Sequence, residues 1–350
     1  VRRKLPPVVH EALASLHDEL LPVTEGELAD YIAPLAQARP DRFGLAVCTP
    51  EGGFAAAGEH DEPFTIQSIS KVFTMALVLG DRGLEGLLAH VGAEPSGESF
   101  NAVSLEEGTG RPDNPMINAG AIVTCSLVEA DSPSERFDRI LAMMSGCAGR
   151  ELDVDENVFE HEYATADRNR ALGHFMRSAG SLTAEVEPTL EVYLRQCAVL
   201  VTASDLAVMA ATLASGGVNP FTEQRVMSTE AARHVLTLMA TCGMYDASGE
   251  WMLRVGSPAK SGVAGGIMTA SPAQFGLGLY SPLLDAKGNS VRGVRACHRL
   301  SERFSWHAFA LPADRLLPAA LEDDDAEGVD SEGESVEGES VEGAGSASSD

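Results

Sequence analysis

Two side chains in this sequence are spaced for nucleophilic chemistry: Ser68 and Lys71, in Gln67-Ser-Ile-Ser-Lys71. Three residues apart at the start of an apolar segment, they share one face of a helix. A serine hydroxyl attacks an acyl carbon only when a neighbour removes its proton. Lysine can do so only if its pKa falls far below the free value of about 10.4. Burial lowers it, and so does the positive end of a helix dipole, where Lys71 would sit. The same terminus points free N–H groups at an oxyanion formed on a substrate held at Ser68. Ser70 is the rival hydroxyl, but as the neighbour of Lys71 it faces elsewhere. The plain structural alternative is a helix N-cap followed by an exposed lysine. Against it, Val72, Phe73, Met75, Ala76 and Leu77 surround Lys71 in sequence and argue for burial.

The chain has only Lys4, Lys71, Lys260 and Lys287, and one other of these has serine three residues earlier: Lys260, in Ser257-Pro-Ala-Lys260. It leads through Lys260-Ser-Gly262 towards an extended segment. A Ser/Lys helix start with a late Lys-Ser-Gly strand is the pairing used by penicillin-recognising serine hydrolases. Other chemistries lack their residues. The nine histidines include no H-E-x-x-H, and Glu160-His-Glu162 is too cramped for three facial metal ligands. Neither G-x-x-x-x-G-K-[ST] nor a strand-linked G-x-G-x-x-G occurs, so no metal and no cofactor is expected. Gly262-Val-Ala-Gly-Gly266 reads as a phosphate cradle or as a turn, and its place before a strand favours the turn.

The elements that must position these residues follow from periodicity. Residues 8–38 read as two amphipathic helices, the second opening at Thr24-Glu-Gly-Glu27, a capping-box pattern. Residues 43–49 and 53–58 read as a strand pair around Pro50-Glu-Gly-Gly53, and 68–81 as an apolar helix ended by Arg82-Gly83. A helical stretch over about 116–242 contains helices at 134–144, 156–178, 189–196, 203–215 and 229–241. Extended segments return at 251–255, 265–270 and 275–280, and a last helix covers about 290–303. Strands at both ends with helices between predict one α/β sandwich, a sheet built from the two termini with a helical subdomain inserted.

Composition sets the limits. The 350 residues, 44% hydrophobic, can bury a substantial core, and no apolar run reaches the roughly 18 residues that span a bilayer. The net charge of −27, from 25 Lys+Arg against 52 Asp+Glu, does not suit nucleic acid or an anionic membrane as partner. Scarce lysine with abundant acid fits either a salt-adapted host or a GC-biased genome. From Glu322 onward there are 12 acidic residues and no Lys or Arg, with Gly-Glu-Ser-Val-Glu repeated at 333–337 and 338–342. A catalytic domain over 1–320 and a disordered acidic tail over 321–350 are therefore expected. Six scattered cysteines without a C-x-x-C pair, and a basic start followed by Glu11, His17, Asp18 and Glu19 rather than an apolar run, favour a cytoplasmic location.

Several separated motifs then coincide. Besides Gln67–Lys71 they are Asn114-Pro-Met-Ile-Asn-Ala-Gly-Ala121, Asp167-Arg-Asn169, Met209-Ala-Ala-Thr-Leu-Ala-Ser-Gly-Gly217, Cys242-Gly-Met-Tyr-Asp246 and Pro258-Ala-Lys-Ser-Gly-Val-Ala-Gly-Gly266. With them in this order, from about Tyr31 to His307, the sequence resembles the serine-dependent glutaminases, which hydrolyse L-glutamine to L-glutamate and ammonia. The resemblance implies a β-lactamase/penicillin-binding-protein-like sandwich, an antiparallel sheet with flanking helices plus a helical subdomain. It implies Ser68 as nucleophile, Lys71 as its base, Tyr245 as proton relay and Tyr31 lining the same pocket. The backbone amides of Ser68 and Val263 would form the oxyanion hole. Asn118, Glu162, Asn169 and Tyr193 would hold the α-amino and α-carboxylate groups, with Gln67 at the border. A homo-oligomer, dimer or tetramer, is also implied. Two other readings stand beside it: a β-lactam or peptide hydrolase using the same Ser68 and Lys71, and a non-catalytic amino-acid sensor.

Overall fold

In this computed structural model the described residues are 3–96, 105–106 and 108–310. One compact unit spans Val1–Phe309; the other, Ala310–Asp350, lies beyond the described residues except for Ala310, and with it the expected disordered tail. The chain starts with β1 (Arg3–Lys4), α1 (Pro7–Leu20), β2 (Gly44–Cys48), β3 (Gly53–Gly58) and β4 (Phe64–Thr65). The helical middle holds α2 (Ser70–Leu88), α3 (Asn118–Leu127), α4 (Pro133–Ala148), α5 (Glu156–Ala164), α6 (Asp167–Ala179), α7 (Val186–Cys197), β5 (Leu200–Val201), α8 (Ala203–Ala214) and α9 (Thr229–Cys242). It closes with α10 (Ser248–Arg254), β6 (Ala259–Gly262), β7 (Gly266–Ser271), β8 (Phe275–Tyr280) and α11 (Val291–Phe304).

The main sheet runs β1-β3-β2-β8-β7-β6, so both ends of the chain build it, as the sequence pattern predicts. It is not wholly antiparallel: β1 pairs with β3 in parallel, because the chain enters β2 after α1 running opposite to β1 and the β2–β3 hairpin reverses it once more. Alternation sorts the side chains of β2. Leu45 and Val47 join Leu13, Leu16 and Leu20 of α1 and Ala296, Cys297 and Leu300 of α11. Ala46 and Cys48 meet Ala207, Val208 and Ala211 of α8 on the other face. In β8 the alternating glycines form the seat of α8. A Cβ at Gly276 would stand 2.1 Å from Ala211 N, and one at Gly278 2.2 Å from Ala203 O, so any side chain there would lift the helix off the sheet.

Three expected elements differ. The helix opening at Thr24 does not form: Gly26 takes φ 99, Glu27 pairs as an isolated bridge with Leu284, and Pro34 precedes only a 3₁₀ turn at Leu35–Gln37. The helix expected over 156–178 is two, α5 and α6, broken at Thr165 and Ala166. The segment 251–255 is helical rather than extended, because Trp251 turns inward against the sheet and its indole donates to Ser257 O at 2.8 Å. Among the described residues no helix is long and apolar enough to cross a membrane.

Candidate active site

The turn that carries Ser68 is a 3₁₀ segment, Gln67–Ile69, leading straight into α2. Gln67 enters it at φ 50, in the left-handed region, at a cost of roughly 1–2 kcal/mol for a residue with a Cβ. Packing holds it there, since Ile66 and Ile69 are fully enclosed. Ser70 is turned away as expected, its hydroxyl donating to Gln67 O at 2.7 Å. Lys71 is buried at 1% exposure. Its amine donates to Asn118 Oδ1 at 2.7 Å and Met116 O at 3.3 Å, and burial lowers it from 10.5 to about 8. A neutral amine has two N–H groups, and here both have acceptors, which leaves its lone pair as a proton acceptor.

Asn118 begins α3, and its motif explains how. Asn114 Oδ1 accepts from Met116 N at 3.0 Å and Ile117 N at 3.2 Å, fixing the entry to the helix. Gly120 packs so closely on that turn that a Cβ would lie 1.8 Å from Asn114 O. Asn118 Oδ1 also accepts the Tyr193 hydroxyl from α7 at 3.1 Å. With two donors on its oxygen, the amide nitrogen must face the other way, towards Asn169 Oδ1 at 3.5 Å on α6. The break between α5 and α6 lets Glu162 and Asn169 face one space. Glu162 accepts from Gln67 Nε2 at 2.9 Å, yet its burial outweighs that bond and raises the carboxyl from 4.5 to about 7.

A cavity of about 250 Å³ joins these parts. Tyr31, Gln67, Ser68, Asn118, Glu162, Asn169, Tyr193 and Val263 all line it. Lys71 lies beneath, through Asn118, and Tyr245 beside, its phenol hydrogen-bonded to Ser68. Because that phenol donates its single proton to Ser261 O at 3.1 Å, Ser68 is the donor in their contact. Val263 sits in the tight turn between β6 and β7, where Gly265 N donates to Gly262 O at 2.9 Å. The glycine-rich segment is thus a turn, and it brings Val263 to the cavity wall. Tyr31, 59% exposed, stands at its edge. Thr165 and Arg168 also line the cavity and were not among the expected site residues; the signal that could have found Arg168 was its place inside the Asp167-Arg-Asn169 motif, whereas Thr165 sits at a break that the sequence pattern did not show.

A sequence model of the glutaminase family matches residues 26–309. The chain belongs to the glutaminase family. It is 49% identical over 294 residues to the glutaminase of Microcystis aeruginosa, covering 84% of this chain and 87% of that one. To the glutaminase of Clavibacter michiganensis it is 51% identical over 284 residues, covering 81% and 87%. The solved structure of Mglu in its glutamate form superposes with TM-score 0.84 at 50% identity, over 88% of this chain and 72% of that one. A probable glutaminase of Bacillus subtilis superposes with TM-score 0.80 at 35% identity, over 85% and 97%. As a glutaminase the protein is an amidohydrolase, and its α/β sandwich is the β-lactamase-like fold of those neighbours.

Proposed function

We propose that this glutaminase cleaves L-glutamine through a γ-glutamyl ester on Ser68, with Lys71 as general base and Tyr245 as proton relay. The observation that carries the reading is the state of Lys71: a buried amine with two acceptors in reach, its basicity lowered to about 8 so that a working fraction is the free base near neutral pH, beside a serine whose proton points to a phenol. Free glutamine is a zwitterion with a neutral amide tail. Glu162 takes its ammonium, and the amide of Asn118, with Asn169 and Tyr193, takes the α-carboxylate. These donors are neutral, so no added cation raises the cost of charging Lys71. The amide carbon then lies over Ser68.

As Oγ attacks, the proton passes by way of Tyr245 to Lys71, and the oxyanion is received by the amides of Ser68 and Val263. The tetrahedral centre collapses, its C–N bond breaks, and Lys71 returns the proton so that ammonia departs. Water, deprotonated by the same amine, attacks the ester; its C–O bond to Ser68 breaks, glutamate is released and Oγ regains its proton. The burial of the whole dyad away from bulk water strengthens each of these electrostatic interactions.

Quenching the reaction with glutamine and locating the acyl adduct by peptide mass spectrometry tests this. The expected site is Ser68, with Ser68→Ala and Lys71→Ala each losing nearly all ammonia release while keeping the parent melting profile. An adduct on another side chain, or turnover in Ser68→Ala, would sink the scheme.

A further inference from the structure

Three enclosed polar side chains behind the nucleophile take no part in the reaction as written. They are Ser70 and Thr74 on α2 and Gln196 on α7, none more than 1% exposed. Apolar residues of the same shape would fill that space without needing a matched set of donors and acceptors. Here the set is matched, and it runs in one direction. The Thr74 hydroxyl donates to Gln196 Oε1 at 2.8 Å, and Gln196 Nε2 donates to Ser70 Oγ at 3.3 Å. Ser70 Oγ in turn donates to Gln67 O at 2.7 Å. Accepting from Gln196 on one side, the Ser70 hydroxyl keeps its single proton for Gln67 on the other.

The chain of bonds ends on a carbonyl whose direction matters for the chemistry. Gln67 O also accepts the Ser70 backbone N–H, so Ser70 claims both of its lone pairs. That carbonyl and the Ser68 N–H belong to one peptide unit, which is planar and trans, so the two point in opposite directions. Fixing one aims the other. The restraint is needed because Gln67 sits at φ 50. A residue held in the left-handed region relaxes by turning the peptide planes on either side of it. The bond from Ser70 N alone is the ordinary closure of a 3₁₀ turn, whose hydrogen-bond geometry is poor.

We infer that Ser70, itself oriented by Gln196 and Thr74, is a positioning residue: its hydroxyl locks the Gln67–Ser68 peptide plane and so aims the Ser68 amide at the oxyanion. The inference rests on the reading of Ser68 proposed above. An oxyanion-hole donor works only within about 2.7–3.1 Å of the place where negative charge develops, so a tilt of the plane costs turnover. The planar amide of bound glutamine asks less of that donor than the tetrahedral intermediate does, and none of the three side chains lines the cavity. The role therefore acts on kcat and leaves KM nearly alone.

The test is a double-mutant cycle of Ser70→Ala and Gln196→Leu in the full chain, with Ser70→Thr as the variant that keeps the hydroxyl. Values of kcat and KM for glutamine are read beside melting curves. Ser70→Ala is expected to lower kcat at least about tenfold and keep KM within about threefold. Gln196→Leu alone should give a smaller loss, which disappears in the Ser70→Ala background, and Ser70→Thr should recover most of the turnover. Stability should follow a different order. Ser70→Ala strands the buried Gln196 amide, so the double variant melts above it while turning over no faster. Should Ser70→Ala not fold, Gln196→Leu carries the test: a roughly three- to tenfold lower kcat at unchanged KM is expected, and a parent-like kcat there overturns the role. A folded Ser70→Ala with parent-like kcat, a kcat that tracks melting temperature across the series, or a KM that rises as far as kcat falls would each overturn the role while leaving the reaction scheme intact. Ammonia release by Ser68→Ala, run alongside, would overturn the scheme and this role together.

Discussion

The pH dependence of turnover follows from two buried groups shifted in opposite directions. Burial lowers Lys71 to about 8 and raises Glu162 to about 7. The base works only as the free amine, and the ammonium site only as the carboxylate, so acid disables both. At pH 7 about a tenth of Lys71 is neutral, against fewer than about one in a thousand for an ordinary lysine amine. At the same pH about half of Glu162 is ionised. The product of the two fractions rises on the order of a thousandfold from pH 6 to pH 9. Below about pH 7, log kcat/KM should therefore climb two decades per pH unit, between 7 and 8 about one, and level off above 8. Initial rates of ammonia release at low glutamine concentration, in buffers of constant ionic strength, give this curve. Glu162→Gln should remove the lower break and leave a single slope ending near 8, with KM raised throughout. A kcat/KM that is flat from pH 6 to 9, or that falls as Lys71 loses its proton, would refute the assignment of base and of ammonium acceptor.

Two further substitutions probe the walls of the site. Gln67→Gly relieves a left-handed φ of 50 but gives up the bond to Glu162, so stability should stay within about 1 kcal/mol while KM at pH 7 rises several-fold; unchanged KM in steady-state assays would deny Gln67 its hold on the carboxylate. Gly262→Ala places a Cβ 2.8 Å from Ile66 O, between the strand and the turn bearing Ser68. It should cost about 1–3 kcal/mol in denaturant melts, and should lower kcat tenfold or more by moving Ser68 relative to the Val263 amide.

What the sequence by itself determined about this protein is local. Ser68 and Lys71 are three residues apart, and that spacing brings them to one side of a helical turn whatever else the chain does. The β2–β3 hairpin was legible from its turn and β8 from its alternation of large and small residues, the leucines packing on one face of the sheet and the glycines seating α8 on the other. The family motifs also named the side chains that the fold gathers, from Tyr31 to Val263. Tertiary structure alone decided how they meet. Thr24 to Asp30 carries a capping pattern, but the pairing of Glu27 with Leu284, some 250 residues away in sequence, competes for its backbone and wins. The break at Thr165 and Ala166 leaves no strong mark in composition, yet it brings Glu162 and Asn169 to one cavity. The lowered basicity of Lys71 and Lys260 and the raised carboxyl of Glu162 are consequences of desolvation, which depends on everything packed around a group rather than on its neighbours in the chain.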